Sequence, residues 1–175
     1  MARSGAREVV TGALLTAFAL LIPLFFRGTL QFALGPYSAT LASHVPSMLA
    51  MFIGPMVAAM VGLGATAGFL LTLGPVVAAR AFIHLIFGVL GAWLYRRGWR
   101  PVPVLLAALP VHAAGEALVV RLFGFDPWVA VVVTGGGTVV HHVLDAAITL
   151  ALLRILARAG FHLARPEPRA GRLAG

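Results

Sequence analysis

The chain contains no cysteine, no lysine and no asparagine. Disulfides, thiolate metal sites and N-glycosylation are therefore excluded. Charge is scarce as well, at 10% of residues, where a soluble domain carries about 25%. A water-soluble globular protein is excluded on that ground, and the 61% hydrophobic content excludes disorder. No Walker motif and no His-Glu-x-x-His pair occurs, so neither P-loop ATP hydrolysis nor zincin chemistry has its residues here. What is present is 175 residues of mean hydropathy +1.00, the composition of an integral membrane protein.

Apolar runs divide the chain into six candidate crossings, each to be compared with the ~20 residues a spanning helix needs. They are Val9–Phe26, Leu41–Ile53, Met56–Leu73, Val76–Tyr95, Val102–Leu122 and Trp128–Arg158. The second is short and crosses only if it tilts or the membrane thins. Arg27–Thr40, with Gly28, Gly35 and Pro36, is the longest irregular stretch between spans. Gly54-Pro55 and Gly74-Pro75 read as two similar helix starts, because proline suits the first helical turn.

Thirteen arginines oppose five acids, for a net charge of +8. Six crossings place ten of these arginines on one side: Arg3, Arg7, Arg96, Arg97, Arg100, Arg154, Arg158, Arg165, Arg169 and Arg172. Five crossings would scatter them. The positive-inside rule then puts both termini in the cytoplasm. The expectation is an all-α integral membrane protein with six transmembrane helices in a single compact bundle over 1–160. A polar, disordered cytoplasmic tail follows at 161–175. The basic excess marks topology and not a nucleic-acid surface.

Three charged residues fall well inside spans: Arg80, Glu116 and Asp145. Such charges must face protein or water, and each is a functional hypothesis by default. At about 1.5 Å per residue, Arg80 and Glu116 both lie roughly 8–9 Å below the outer face. His84 and His112 lie together at roughly 14–15 Å. Arg80 and His84 are spaced i,i+4 on one helix, as are His112 and Glu116 on the next, so each of these pairs shares one face. Two matched polar layers in the outer half suggest a pocket open to the outside. Arg80→Ala is expected to abolish ligand binding and leave folding largely intact. A variant that fails to fold would favour Arg80 and Glu116 as a structural pair, and a pair that is partly structural and also lines the pocket stays open.

A further polar turn, His141, His142 and Asp145, supports ligand binding, a proton relay or a metal, against a plain buried hydrogen-bond cluster. The second is favoured for His142 and Asp145, and a metal lacks partners on this helix alone. Thr134-Gly135-Gly136-Gly137-Thr138 weakens its helix by ~1 kcal/mol per glycine. It permits either close packing or backbone exposure to a ligand. His44, Gln31 and Tyr37 are the polar candidates of the first loop. For His44, capping a ligand and satisfying loop backbone groups weigh equally.

Ala13-Leu14-Leu15-Thr16-Ala17, the stretch Leu41–Phe52 and Arg80-Ala81-Phe82-Ile83-His84-Leu85-Ile86-Phe87 complete the pattern. Over about Arg7–Arg158 the chain resembles the substrate-binding S component of an energy-coupling factor (ECF) vitamin transporter. It is most similar to a subgroup that includes niacin-type S components. The resemblance implies high-affinity binding of a small vitamin in an outward pocket, for which the site residues are Arg80, His84, His112, Glu116, His44, Tyr37, Thr138 and His141. It implies docking through Ala13 and Ala17 on a membrane T component coupled to two ATP-binding cassette ATPases. No cofactor and no resident metal are expected. Nicotinate is the lead ligand: Arg80 can pair with a carboxylate, and the histidines can meet a small aromatic ring. Glu116 is awkward beside an anion, so pantothenate, another carboxylate and a neutral or cationic heterocycle stay open. The competing reading is a stand-alone ion- or proton-coupled permease working through His141, His142 and Asp145. An intramembrane enzyme has no recognisable motif to support it.

Overall fold

The computed structural model describes residues 2–161. The tail read at 161–175 lies, beyond Phe161, outside them. Six α-helices form the bundle: α1 (Ala2–Phe25), α2 (Val45–Met51), α3 (Pro55–Thr72), α4 (Pro75–Arg96), α5 (Pro101–Leu122) and α6 (Gly137–Arg158). A π-helical segment, Val129–Gly136, runs straight into α6. Five of the helical stretches are long and apolar enough to cross a membrane. Leu14, Phe18 and Leu21 of α1 and Val140, Val143 and Leu144 of α6 stand exposed, as lipid-facing side chains do. The chain is a multi-pass membrane protein.

Glycine-proline pairs start α3 and α4 as their sequence suggests, with Gly54 and Gly74 as the capping residues. Gly74 takes φ +89°, a conformation that only glycine adopts freely. Helix contacts use small residues, as expected where lipid removes the hydrophobic drive and close approach must supply the attraction. Gly62 lies against the backbone of Leu85, and Gly88 against Ala58. Gly64 and Gly68 receive Thr16 and Leu20 of α1. These small-residue pairs serve internal packing.

The same contacts give directions. Gly12 faces Met60, Thr16 faces Gly64 and Leu20 faces Gly68, so α1 and α3 run parallel. Gly62 on Leu85 and Ala58 on Gly88 make α3 and α4 antiparallel. Arg80 with Glu116, and Ile83 on Gly115, make α4 and α5 antiparallel. His44 beside Asp145 and Met48 beside Thr149 set α2 parallel to α6. Because α1 and α3 are parallel, the chain between them must travel the length of the bundle.

That passage is the main departure from the sequence reading. The segment read as irregular pairs as a two-stranded antiparallel hairpin, β1 (Gln31–Leu34) and β2 (Tyr37–Thr40), with Leu34 opposite Tyr37. Gly35 at φ +62° occupies the first central position of its two-residue turn, where type II′ turns place glycine. The proline ring of Pro36 fixes the negative φ that follows. The helix read at Leu41–Ile53 contracts to the seven residues of α2. At ~1.5 Å per residue it spans roughly 10 Å. Hairpin and turn descend to His44, and α2 completes the passage to Gly54, which lies against the Arg96 guanidinium at the far end of α4.

Two apolar clusters support this frame. Val57, Val61, Ala65 and Phe69 of α3 pack with Ala19, Ala78 and Ala81. Met48, Met51, Phe52, Phe87, Leu94, Val104 and Leu105 fill the space between α2, α4 and α5. A buried polar group of residues rests directly on this second cluster, with the ring of Phe87 against those of His84 and His112.

Candidate functional site

The polar group lies at the end of the bundle where α4 begins and α5 ends. Arg80 enters from the second turn of α4 and Glu116 from the last turns of α5, both almost fully buried. Two guanidinium nitrogens donate to Glu116 Oε2, Nη2 at 2.8 Å and Nε at 3.3 Å. Thr138 of α6 donates to the same oxygen at 2.6 Å. Arg80 also donates from Nη1 to the carbonyl of Pro36 and from Nη2 to that of Ser38, at 3.1 and 3.3 Å. Tyr37 lies with its ring 5.2 Å from the guanidinium carbon. Burial, with the Glu116 carboxylate adding to it, pushes the Tyr37 hydroxyl up, so it stays a neutral donor.

One turn deeper, His84 and His112 face each other, ring centroids 5.4 Å apart. His44 packs edge-on against both, at 4.7 and 4.5 Å, and lies 4.3 Å from the ring of His141. Asp145 holds this level together. Its carboxylate accepts the backbone N–H groups of Ala42 at 2.7 Å and His44 at 2.9 Å. Ala42 has φ +68°, a left-handed conformation that costs an alanine roughly 1–2 kcal/mol. His141 donates from Nε2 to the Thr40 carbonyl at 2.9 Å and lies 3.1 Å from Asp145 Oδ2. His142 joins His112 through their Nδ1 atoms, 3.0 Å apart, and the Leu105 carbonyl through Nε2 at 3.1 Å.

The structure thus brings together all eight side chains picked out in the sequence: Arg80, His84, His112, Glu116, His44, Tyr37, Thr138 and His141. The depth arithmetic pairs the right residues because α4 and α5 are antiparallel and near-matched in length. One expectation changes. Arg80 does not present an open fork. Of its five N–H groups, four are engaged by Glu116, Pro36 and Ser38, which leaves one on Nη1. Ala13 and Ala17 stand elsewhere, on the exposed face of α1.

Two contributors escaped the sequence reading. The hairpin backbone supplies the carbonyls that hold Arg80 and His141. The π-helical segment, whose three-glycine run was its only trace, seats Gly135 against Ala117 and brings Gly137 beneath Tyr37. A side chain at Gly137 would put its Cβ 2.6 Å from Tyr37 Cζ. Gly137→Ala is therefore expected to displace the Tyr37 ring and cost about 1–3 kcal/mol, read as a lowered melting temperature in detergent.

A cavity of about 50 Å³ is lined by four of the eight side chains, His44, Arg80, His84 and Glu116, and not by Tyr37, His112, Thr138 or His141. Gln31, Ser38, Thr40, His44, Arg80, His84 and Glu116 form its polar wall, and Ala19, Phe69 and Val77 its apolar wall. It combines a few convergent polar groups with an apolar side, the usual make-up of a small-molecule site.

The chain is similar to the niacin transporter NiaX of Lactococcus lactis subsp. cremoris (strain MG1363). The two are 32% identical over 172 residues, 87% of this chain and 76% of the relative. No family model and no solved structure matches the chain. Identity at that level over most of both sequences, on a multi-pass helical bundle with a buried polar cavity, shows that this chain belongs to the NiaX family of membrane transport proteins, the S components of energy-coupling factor transporters.

Proposed function

We propose that the chain is the membrane-embedded binding subunit for uptake of a small vitamin of the niacin type. The observation that carries this reading is the buried cavity walled by Arg80, His84 and Glu116 in a member of the NiaX family. Arg80 supplies the cation for a carboxylate, through its remaining Nη1 N–H and through groups freed if the hairpin carbonyls give way. His44 and His84 offer faces and edges to a heteroaromatic ring. The cavity takes a few water-sized bodies, so a ring must shift the hairpin to enter. Six crossings with both termini cytoplasmic agree with the parallel α1 and α3 and with the arginine bias.

The test is calorimetry on the purified chain with nicotinate, nicotinamide and pantothenate, paired with thermal shifts. Nicotinate is expected to bind tightly and raise the melting temperature, and nicotinamide, lacking the charge, to bind more weakly. Indifference to all three in a folded preparation sinks the vitamin reading. The competing permease reading needs a polar path to the other end of the bundle. Next to His142 the cluster of Met48, Met51, Phe52, Phe87 and Val104 is apolar, and the buried Thr149 beside Met48 is bonded back to the Asp145 carbonyl of its own helix.

Energy is proposed to come from a T component and two ATP-binding cassette ATPases that meet the exposed face of α1. Ala13→Trp or Ala17→Trp is expected to leave ligand affinity unchanged and to abolish co-purification with that module. An unchanged yield of complex would place the docking face elsewhere.

A further inference from the structure

The polar core contains a chain of hydrogen bonds that fixes the tautomer of one histidine. The Leu105 carbonyl can only accept, so His142 carries its proton on Nε2. A neutral His142 then accepts at Nδ1, and the proton between the two rings belongs to His112 Nδ1. His112 is left with a bare lone pair at Nε2. That atom is buried, has no hydrogen-bond partner among the described residues and lies 3.5 Å from Glu116 Oε1. His84 Nε2 is also buried without a partner, 3.8 Å from the same oxygen. A lone pair held against a buried carboxylate is repulsive unless a group that both can bind, a doubly donating water or a cation, lies between them.

The geometry points to a divalent transition-metal site of the zinc class, made by His44, His84, His112 and Glu116. One ligand atom from each lies within 4.8 Å of all the others. Tetrahedral zinc with nitrogen and oxygen ligands at about 2.0–2.1 Å separates its ligands by roughly 3.3 Å, so the observed 3.5 and 3.8 Å need only a small contraction. Imidazoles and a carboxylate suit zinc and its neighbours better than calcium or magnesium. The outer partners are those that metal sites use. Arg80 and Thr138 hold Glu116 by Oε2 and leave Oε1 free. His142 orients His112 through the nitrogen that would face away from the ion. The neighbouring trio His44, His141 and Asp145 is a poorer set, because Asp145 is already committed to two backbone N–H groups. The ion also answers the problem of Glu116 in an anion pocket, since it reverses the sign of charge on the cavity wall.

The site stands on this tautomer chain and not on the vitamin reading, and the two are tested separately. The full chain is purified in detergent, stripped with a chelator and titrated with Zn²⁺ by calorimetry and with Co²⁺ by visible absorption, with no vitamin present. One equivalent of each is expected, with the intense visible bands of four-coordinate Co²⁺. His112→Gln is expected to abolish the bands. His142→Leu, which replaces no ligand but removes the ring that orients His112, is expected to weaken Zn²⁺ binding about 10–100-fold. Failure of the folded wild-type chain to bind either ion overturns the site, whatever the variants do. Binding that both variants leave unchanged overturns it too. Nicotinate titrated into the stripped chain reports on the vitamin reading alone. Nicotinate bound with no metal uptake ends this proposal and leaves the other standing.

Discussion

Arg80→Ala is expected to lose ligand binding and stability together. Truncation leaves Glu116 buried with Thr138 as its one close hydrogen-bond donor among the described residues, and it releases the Pro36 and Ser38 carbonyls. Removing one partner of a buried ion pair costs about 3–5 kcal/mol, because the remaining charge keeps its desolvation penalty. The melting temperature in detergent should fall accordingly. The double variant Arg80→Met/Glu116→Gln should recover much of that loss, since it removes both charges and keeps their bulk. Binding of nicotinate should not recover. This pattern separates the two roles that the sequence left open. Full recovery of binding in the double variant would make the pair a scaffold only. A stable Arg80→Ala that merely fails to bind would make it a pocket group only.

Asp145→Asn is expected to have the second largest effect. The carboxylate accepts two backbone N–H groups, and hydrogen bonds to a charged group contribute about 1.5–3 kcal/mol each. An amide can present only one oxygen and turns an N–H toward the other donor. The left-handed Ala42 then loses the bond that holds it. Hydrogen exchange is the decisive measurement. The amides of Ala42 and His44 should lose protection, while those of Val57–Phe69 in α3 keep theirs. Equal loss in both regions would mean that Asp145 supports the whole bundle and not the loop that carries His44.

The sequence exposed those parts of the molecule that obey a simple period. Pro55 and Pro75 announce helix starts because the first turn has no use for their missing N–H. Arg80, His84, His112 and Glu116 could be matched because depth along antiparallel helices is additive. The hairpin stayed hidden because its strands are short and one of them, Gln31–Leu34, packs little of its surface. Asp145 could be read as a member of a buried hydrogen-bond cluster, but its partners could not be named, since they are main-chain N–H groups of the loop, which any residue can supply. The partner of His142 is likewise a backbone carbonyl, and the tautomer it dictates becomes legible only once α5 and α6 are side by side. The seven-residue α2 shows the limit of hydropathy: Leu41–Ile53 is apolar throughout much of its length, yet half of it is turn.

Arg80 grips the hairpin at the Pro36 and Ser38 carbonyls, and His141 grips it at Thr40. All three contacts are made to oxygens that every amino acid possesses. The latch is therefore blind to the side chains it secures. Substitutions at Gln31, Ser38 and Thr40, the ribbon residues on the cavity wall, can accumulate without loosening it, while Gly35 and Pro36 keep the turn. A lineage can explore new nutrients by rewriting this short ribbon and leaving the helices as they are. For the same reason, ribbons exchanged between members of the family offer an engineer a direct route to altered selectivity.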